Sequence, residues 1–145
     1  MEIKETQSSL PLKTLIMIEQ ATIYLTAMIF GIMIFFSFVI APVVFKTLDE
    51  INARKFIRKI FPFYYNFNLG ISIVILLSYL LLEKLGIDFY LILAITLLFV
   101  TSNYLLMPQI NKYRDQKEDK KFKFLHFISV LINFMQMVFL VIILF

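Results

Sequence analysis

Apolar and charged positions alternate along this chain in long blocks. Four blocks are almost or wholly free of Asp, Glu, Lys and Arg. Each is longer than the roughly 20 residues that a helix rising about 1.5 Å per residue needs to cross the hydrocarbon core of a bilayer. The pattern predicts transmembrane helices over about 20–45, 60–82, 88–109 and 124–145. We therefore expect an all-α, up-down-up-down four-helix bundle over residues 14–145, preceded by a polar N-terminal tail over residues 1–13.

Composition and charge place this bundle in a membrane and orient it. Hydrophobic residues make up 61% of the chain, well above the roughly 45–50% typical of soluble domains. All Lys and Arg residues except Lys4, Lys13 and Lys84 lie in the first and third connections between spans. The positive-inside rule then puts both connections in the cytoplasm and both termini outside, which we assign to a bacterial inner membrane. Because topology explains the net charge of +4, we expect no nucleic-acid partner.

The first connection carries a second pattern. Thr47-Leu48-Asp49-Glu50 matches the capping box that starts helices. The basic positions that follow share one helical face, opposite an apolar one. We predict a short amphipathic interfacial helix, ended by Pro62, whose cations contact anionic lipid headgroups. Those cations are Arg54, Lys55, Arg58 and Lys59.

Polar residues recur at one depth of the predicted bundle. His126, Ser129 and Asn133 are spaced by three and four residues, so they form one stripe on the fourth helix. An unpaired polar group in hydrocarbon costs several kcal/mol, so the stripe should face other helices or a wet cavity. Helix alternation brings polar residues of the second and third spans to the same cytoplasmic half. The predicted polar pocket comprises Tyr64, Tyr65, Asn68, Asn103, His126, Ser129 and Asn133.

Three functions are compatible with these residues. The leading hypothesis is a non-enzymatic membrane protein whose pocket binds or helps to transport a small molecule or lipid. In the second, the polar residues only fix helix packing through hydrogen bonds. In the third, His126 is a general base beside Tyr64 or Tyr65, but a second titratable partner is missing. With no cysteine, one histidine and no carboxylate inside the spans, we assign no metal, cofactor or catalytic residue. The expected partner is the lipid bilayer. A second copy of the chain and another membrane protein are two further candidates between which the sequence does not choose.

Short motifs at the helix ends suggest a family. They are Phe61-Pro62-Phe63-Tyr64-Tyr65 with Gly70, Asn103-x4-Pro108, His126-x2-Ser129-x3-Asn133, and Phe38-Val39-Ile40-Ala41-Pro42. Together they resemble the transmembrane protein 205-like family, over about Met28 to Phe145. The resemblance implies a small four-helix multi-pass membrane protein of unknown function, without an established reaction or cofactor. Among the motif positions we expect structural roles for Pro42, Pro62, Gly70 and Pro108.

Overall fold

Four long helices make up the protein. The structure, a computed structural model, describes residues 10–145, and over that range it is all-α and contains no strand. The helices are α1 (Leu12–Thr47), α2 (Glu50–Leu81), α3 (Ile87–Asp115) and α4 (Asp119–Leu144). Each is long and apolar enough to cross a membrane. The prediction of four apolar spans in an all-α protein is confirmed.

Helix α1 begins earlier than the predicted first span. Most of the predicted tail, residues 1–9, lies outside the described residues. Pro11 occupies the N-cap, and its carbonyl accepts hydrogen bonds from the backbone N–H groups of Thr14 and Leu15. The helix therefore includes Lys13 and Glu19 in its first turns. Charged residues are tolerated there because a helix end can lie in the polar headgroup region.

Two helices contain a widened turn before a proline. Phe36–Ile40 in α1 and Ser102–Leu106 in α3 are π-helical, and Pro42 and Pro108 follow each of them. Proline cannot donate an N–H to the carbonyl four residues earlier, and its ring clashes with that carbonyl. The residue before each proline instead donates its N–H to the carbonyl five positions back. The wider turn thus lets both helices continue through their prolines.

The start of α2 differs from the prediction. Asp49 is the N-cap, and its carboxylate accepts hydrogen bonds from the N–H groups of Ile51 and Asn52 at 3.1 and 3.0 Å. The Thr47 hydroxyl instead donates to the Val43 carbonyl at the end of α1. The predicted capping box at Thr47 is therefore wrong by two residues. Both residue types are good N-caps, so sequence alone could not choose between them.

The predicted break at Pro62 is also absent. Glu50–Leu81 is one helix with Pro62 in its interior, so residues 50–61 extend the second span instead of forming a separate interfacial helix. An interior proline costs about 3 kcal/mol in an isolated helix. Here the same helix buries Ala53 before the proline and Tyr64 and Tyr65 after it. Packing on both sides offsets the lost backbone hydrogen bond.

Each helix packs against two neighbours around an apolar core. Helix α2 contacts α1 and α3, and α4 contacts the same two helices from the other side. The largest fully buried apolar side chains are Ile29, Met33, Ile75, Ile92, Ile95, Phe99 and Leu140. Large apolar side chains such as Phe35, Phe63 and Phe127 are exposed on the outside. A bundle that is apolar outside as well as inside is typical of a protein surrounded by lipid.

Candidate functional site

A cavity of about 470 Å³ lies between the four helices. Its walls come from the π-helical turn of α1, the first half of α2, the end of α3 and the start of α4. It therefore occupies the end of the bundle nearest the first and third connections. Its volume falls within the roughly 300–1,000 Å³ typical of small-molecule pockets.

A chain of hydrogen bonds crosses one side of this cavity. The Tyr64 hydroxyl donates to Asn133 Oδ1 at 3.3 Å, and Asn133 Nδ2 donates to Ser37 Oγ at 3.0 Å. All three residues line the cavity. The chain joins α1, α2 and α4 at one depth, with Ser37 placed by the π-helical turn. These bonds pair polar groups that would otherwise lie unsatisfied within the bundle.

Aromatic rings make the neighbouring wall stiff. Phe36 stacks on Tyr64 with ring centroids 4.4 Å apart, and Phe61 lies 5.6 Å from Tyr65. Tyr65 also meets Phe99 edge to face at 6.5 Å. Such pairs stabilise by about 0.5–1.5 kcal/mol beyond the area they bury. The cavity wall is therefore held in place by side chains from three helices.

Charged side chains form the other side of the cavity, which we call the arginine rim. It consists of Arg54, Arg58 and Arg114 with Glu50. Glu50 Oε1 accepts a hydrogen bond from Arg54 at 2.6 Å and another from Arg114 at 2.7 Å. Arg58 is ion-paired with Asp115. These pairs link the start of α2 to the end of α3.

The rim changes the interpretation of the predicted headgroup contacts. Arg54 and Arg58 line the cavity, whereas Lys55 and Lys59 are exposed. The four positions fall on one helical face by sequence, but α3 brings Arg114 and Asp115 beside only the two arginines. Contact of these cations with anionic lipid headgroups stays a prediction.

Two further members of the predicted pocket, His126 and Ser129, line the cavity from α4. The His126 ring stacks on Phe122 with centroids 5.8 Å apart and planes 7° from parallel. The Arg114 guanidinium lies 4.6 Å from the centroid of the same Phe122 ring. His126 is thus oriented by an aromatic neighbour that also contacts the arginine rim.

Asn68 and Asn103 lie away from the cavity lining. Asn68 is fully buried and donates from Nδ2 to the Tyr64 carbonyl at 2.8 Å, within its own helix. Asn103 Nδ2 donates to Asn66 Oδ1 at 2.8 Å, which also accepts from the Tyr104 hydroxyl. Asn68 lies one helical turn further along α2 than Tyr64. Asn103 lies in a π-helical turn, and the extra residue of such a turn changes the helix face on which the following side chains lie. The structure therefore groups Tyr64, Tyr65, His126, Ser129 and Asn133, but not these two asparagines.

A family model decides the relationship of this chain to other proteins. The model, described as a domain of unknown function (DUF4149), matches residues 24–119, which is more than half of the chain. The chain belongs to the DUF4149 family. No curated protein and no solved structure matches it. The match does not confirm the narrower resemblance to the transmembrane protein 205-like family.

The matched segment of this DUF4149 protein contributes most of the cavity. It contains the arginine rim, Ser37 and both tyrosines, and it ends at residue 119, where α4 begins. His126, Ser129 and Asn133 therefore complete the cavity from outside the matched segment.

Sequence reasoning missed several lining residues of the DUF4149 protein. Arg114 and Glu118 have the four-residue spacing of an ion pair on one helix, but α3 ends at Asp115 and Arg114 pairs with Glu50 instead. Ser37 carries a weak signal, because it is an isolated polar residue in a long apolar span. Glu50 carries none, since an acidic residue in the first turn of a helix is ordinary.

Proposed function

We propose that this DUF4149 protein is a non-enzymatic multi-pass membrane protein that binds a small molecule or lipid in the cavity, and so helps to transport it. The observation that carries the proposal is a space of about 470 Å³ bordered by the Tyr64–Asn133–Ser37 chain and the arginine rim. Packed protein interiors contain few voids larger than a water molecule. Helices that packed only for stability would leave little space between this hydrogen-bonded chain and the arginine rim.

We also propose that consecutive helices alternate in direction, with both termini outside a bacterial inner membrane and the cavity in the cytoplasmic half. Two ion pairs support the alternation. Glu19 near the start of α1 pairs with Lys84 just after α2, and Arg58 near the start of α2 pairs with Asp115 at the end of α3. The basic residues of the first and third connections support the cytoplasmic side.

A purely structural role is the second candidate. It is favoured by polar bonds that join helices without lining the cavity, such as Asn103 to Asn66 and Gln136 Nε2 to the Ile95 carbonyl at 3.2 Å. Interhelical bonds of this kind average about 0.6 kcal/mol in membranes. On this account the cavity is incidental and binds nothing.

Filling the cavity separates the two candidates. Ala41 lines the cavity, whereas Val43, two residues on, is 51% exposed on the outside of α1. The protein is extracted gently from its membrane, and native mass spectrometry records the bound species on wild type, Ala41→Phe and Val43→Phe. We expect a defined adduct on wild type and on Val43→Phe that is lost from Ala41→Phe. An adduct that all three retain equally, or none on folded wild type, would contradict ligand binding and favour the structural role.

A further inference from the structure

The arginine rim carries more positive than negative charge. Three guanidinium groups and one carboxylate line the cavity there, with Asp115 beside Arg58 as the additional acid. Arg54 and Arg114 share a single oxygen of Glu50, whereas each guanidinium has five N–H donors. Carboxylate and phosphate groups are the ligand chemistry that such planar, forked donors recognise.

The lining residues indicate that the cavity opens sideways between α1 and α4. Helix α1 packs on α4 through Leu12–Phe35, while its last two turns, Ala41–Thr47, pack on α2. Apolar side chains border the resulting gap from both helices, and each lines the cavity while remaining more than half exposed. They are Phe38, Phe45, Val130 and Phe134. An apolar path therefore runs from the arginine rim to the surface that faces the hydrocarbon core.

We infer that the ligand of this cavity is an anionic amphiphile, with its phosphate-like headgroup on Arg54, Arg58 and Arg114 and its acyl chain leaving between α1 and α4. The inference rests on the proposed binding function and names the ligand class. A soluble anion would satisfy the arginines but make no use of the apolar gap. A neutral apolar molecule would occupy the gap but offer no acceptor to the remaining N–H donors of the three guanidinium groups.

The test uses the full chain in nanodiscs of phosphatidylcholine containing a small fraction of phosphatidylglycerol. Native mass spectrometry measures which of the two lipids stays bound after release from the disc. We expect phosphatidylglycerol to be enriched at least about tenfold over its share of the disc, and glycerol phosphate in solution not to displace it. Neutralising one arginine, as in Arg54→Gln or Arg58→Gln, removes a charge-assisted hydrogen bond and should lower the enrichment about tenfold.

Matched controls exist one residue away from Arg54 and from Arg58. Lys55→Gln and Lys59→Gln remove the same charge from the exposed face of α2. A headgroup contact made there lies outside the cavity and exchanges with the lipid of the disc, so both variants should leave the enrichment within about twofold. Glu50→Gln removes the acid that occupies Arg54 and Arg114, so it should strengthen the enrichment. This gain of binding requires a folded protein, which keeps the test decisive where an arginine variant fails to fold.

Each other outcome overturns the inference in a distinct way. An equal loss in the arginine and lysine variants would indicate general attraction to a basic surface, and displacement by glycerol phosphate would indicate a soluble-anion site. If a zwitterionic or neutral species is bound and Ala41→Phe removes it, the proposed function holds and the anionic amphiphile is wrong. If no bound species responds to Ala41→Phe, the proposed function fails as well.

Discussion

Replacing Asn133 by leucine tests the hydrogen-bond chain that borders the cavity. The side chain of Asn133 accepts from the Tyr64 hydroxyl and donates to Ser37 Oγ. Leucine has a similar size and no polar atoms, so the substitution removes both bonds with little change in packing. Its cost depends on whether water in the cavity replaces the lost partners.

The magnitude can be worked from these two bonds. At about 0.6 kcal/mol each, their loss costs about 1.2 kcal/mol of the free energy of unfolding if water can solvate Tyr64 and Ser37. Tyr64 is only 7% exposed in the fold. If its hydroxyl were left in a dry site, an unsatisfied buried donor would add about 1–3 kcal/mol. Because the hydroxyl borders the cavity, we expect the smaller total of about 1.2 kcal/mol.

The assay is reversible unfolding of the protein in mixed micelles by increasing the fraction of sodium dodecyl sulfate. A double-mutant cycle with Tyr64→Phe isolates the Tyr64–Asn133 bond, and its coupling energy should be about 0.6 kcal/mol. A loss above about 3 kcal/mol for Asn133→Leu, largely rescued by adding Tyr64→Phe, would mean that the site is dry. That result would contradict the presence of solvent or ligand in the cavity.

Two other predictions concern the helices that support the site. Gly70 lies inside α2 with open space where a Cβ would be. Gly70→Ala should therefore raise the free energy of unfolding by about 1 kcal/mol in the same assay. A lower free energy of unfolding would instead indicate a close partner at that surface. The N–H groups of Asn52 and Ile51 hold the pKa of Asp49 below its ordinary value of 3.8, so its contribution to stability is complete above that value and is lost as the pH falls through the lowered pKa. Wild type and Asp49→Ala should therefore differ in melting temperature at neutral pH and converge only when the pH has fallen below 3.8 and through the lowered pKa. A difference that persists once Asp49 is protonated would contradict the capping role.

The parts of the fold that sequence could predict are those that depend on length and polarity alone. A long uncharged run leaves the chain no alternative to a membrane-crossing helix, so the four spans were predictable. The continuity of α2 could not be predicted. The cost of Pro62 depends on the local sequence, whereas the packing that offsets this cost depends on the neighbouring helices. The π-helical turns likewise arise from a clash between a proline and a carbonyl, which no hydrophobic pattern records.

The candidate site divides in the same way. His126, Ser129 and Asn133 were predictable as a group, because their spacing of three and four residues fixes one helical face. The role of Arg54 in the rim was not, since it depends on Glu50 and on Arg114 from a helix distant in sequence. A single sequence shows which residues share one face of a helix, but it does not show which other helix packs against that face.

Access of water to the cavity can be measured by labelling introduced cysteines. The chain has no cysteine, so a single introduced thiol can be labelled without background. Ser129 lines the cavity, whereas Ser72 on α2 is fully buried and donates to the Leu69 carbonyl. We expect Ser129→Cys to react with a small water-soluble methanethiosulfonate at least about tenfold faster than Ser72→Cys, because only a hydrated thiol forms the reactive thiolate. Equally slow labelling of the two cysteines in folded protein would show that no water-filled space exists between these helices, and it would contradict a cavity that can bind a ligand.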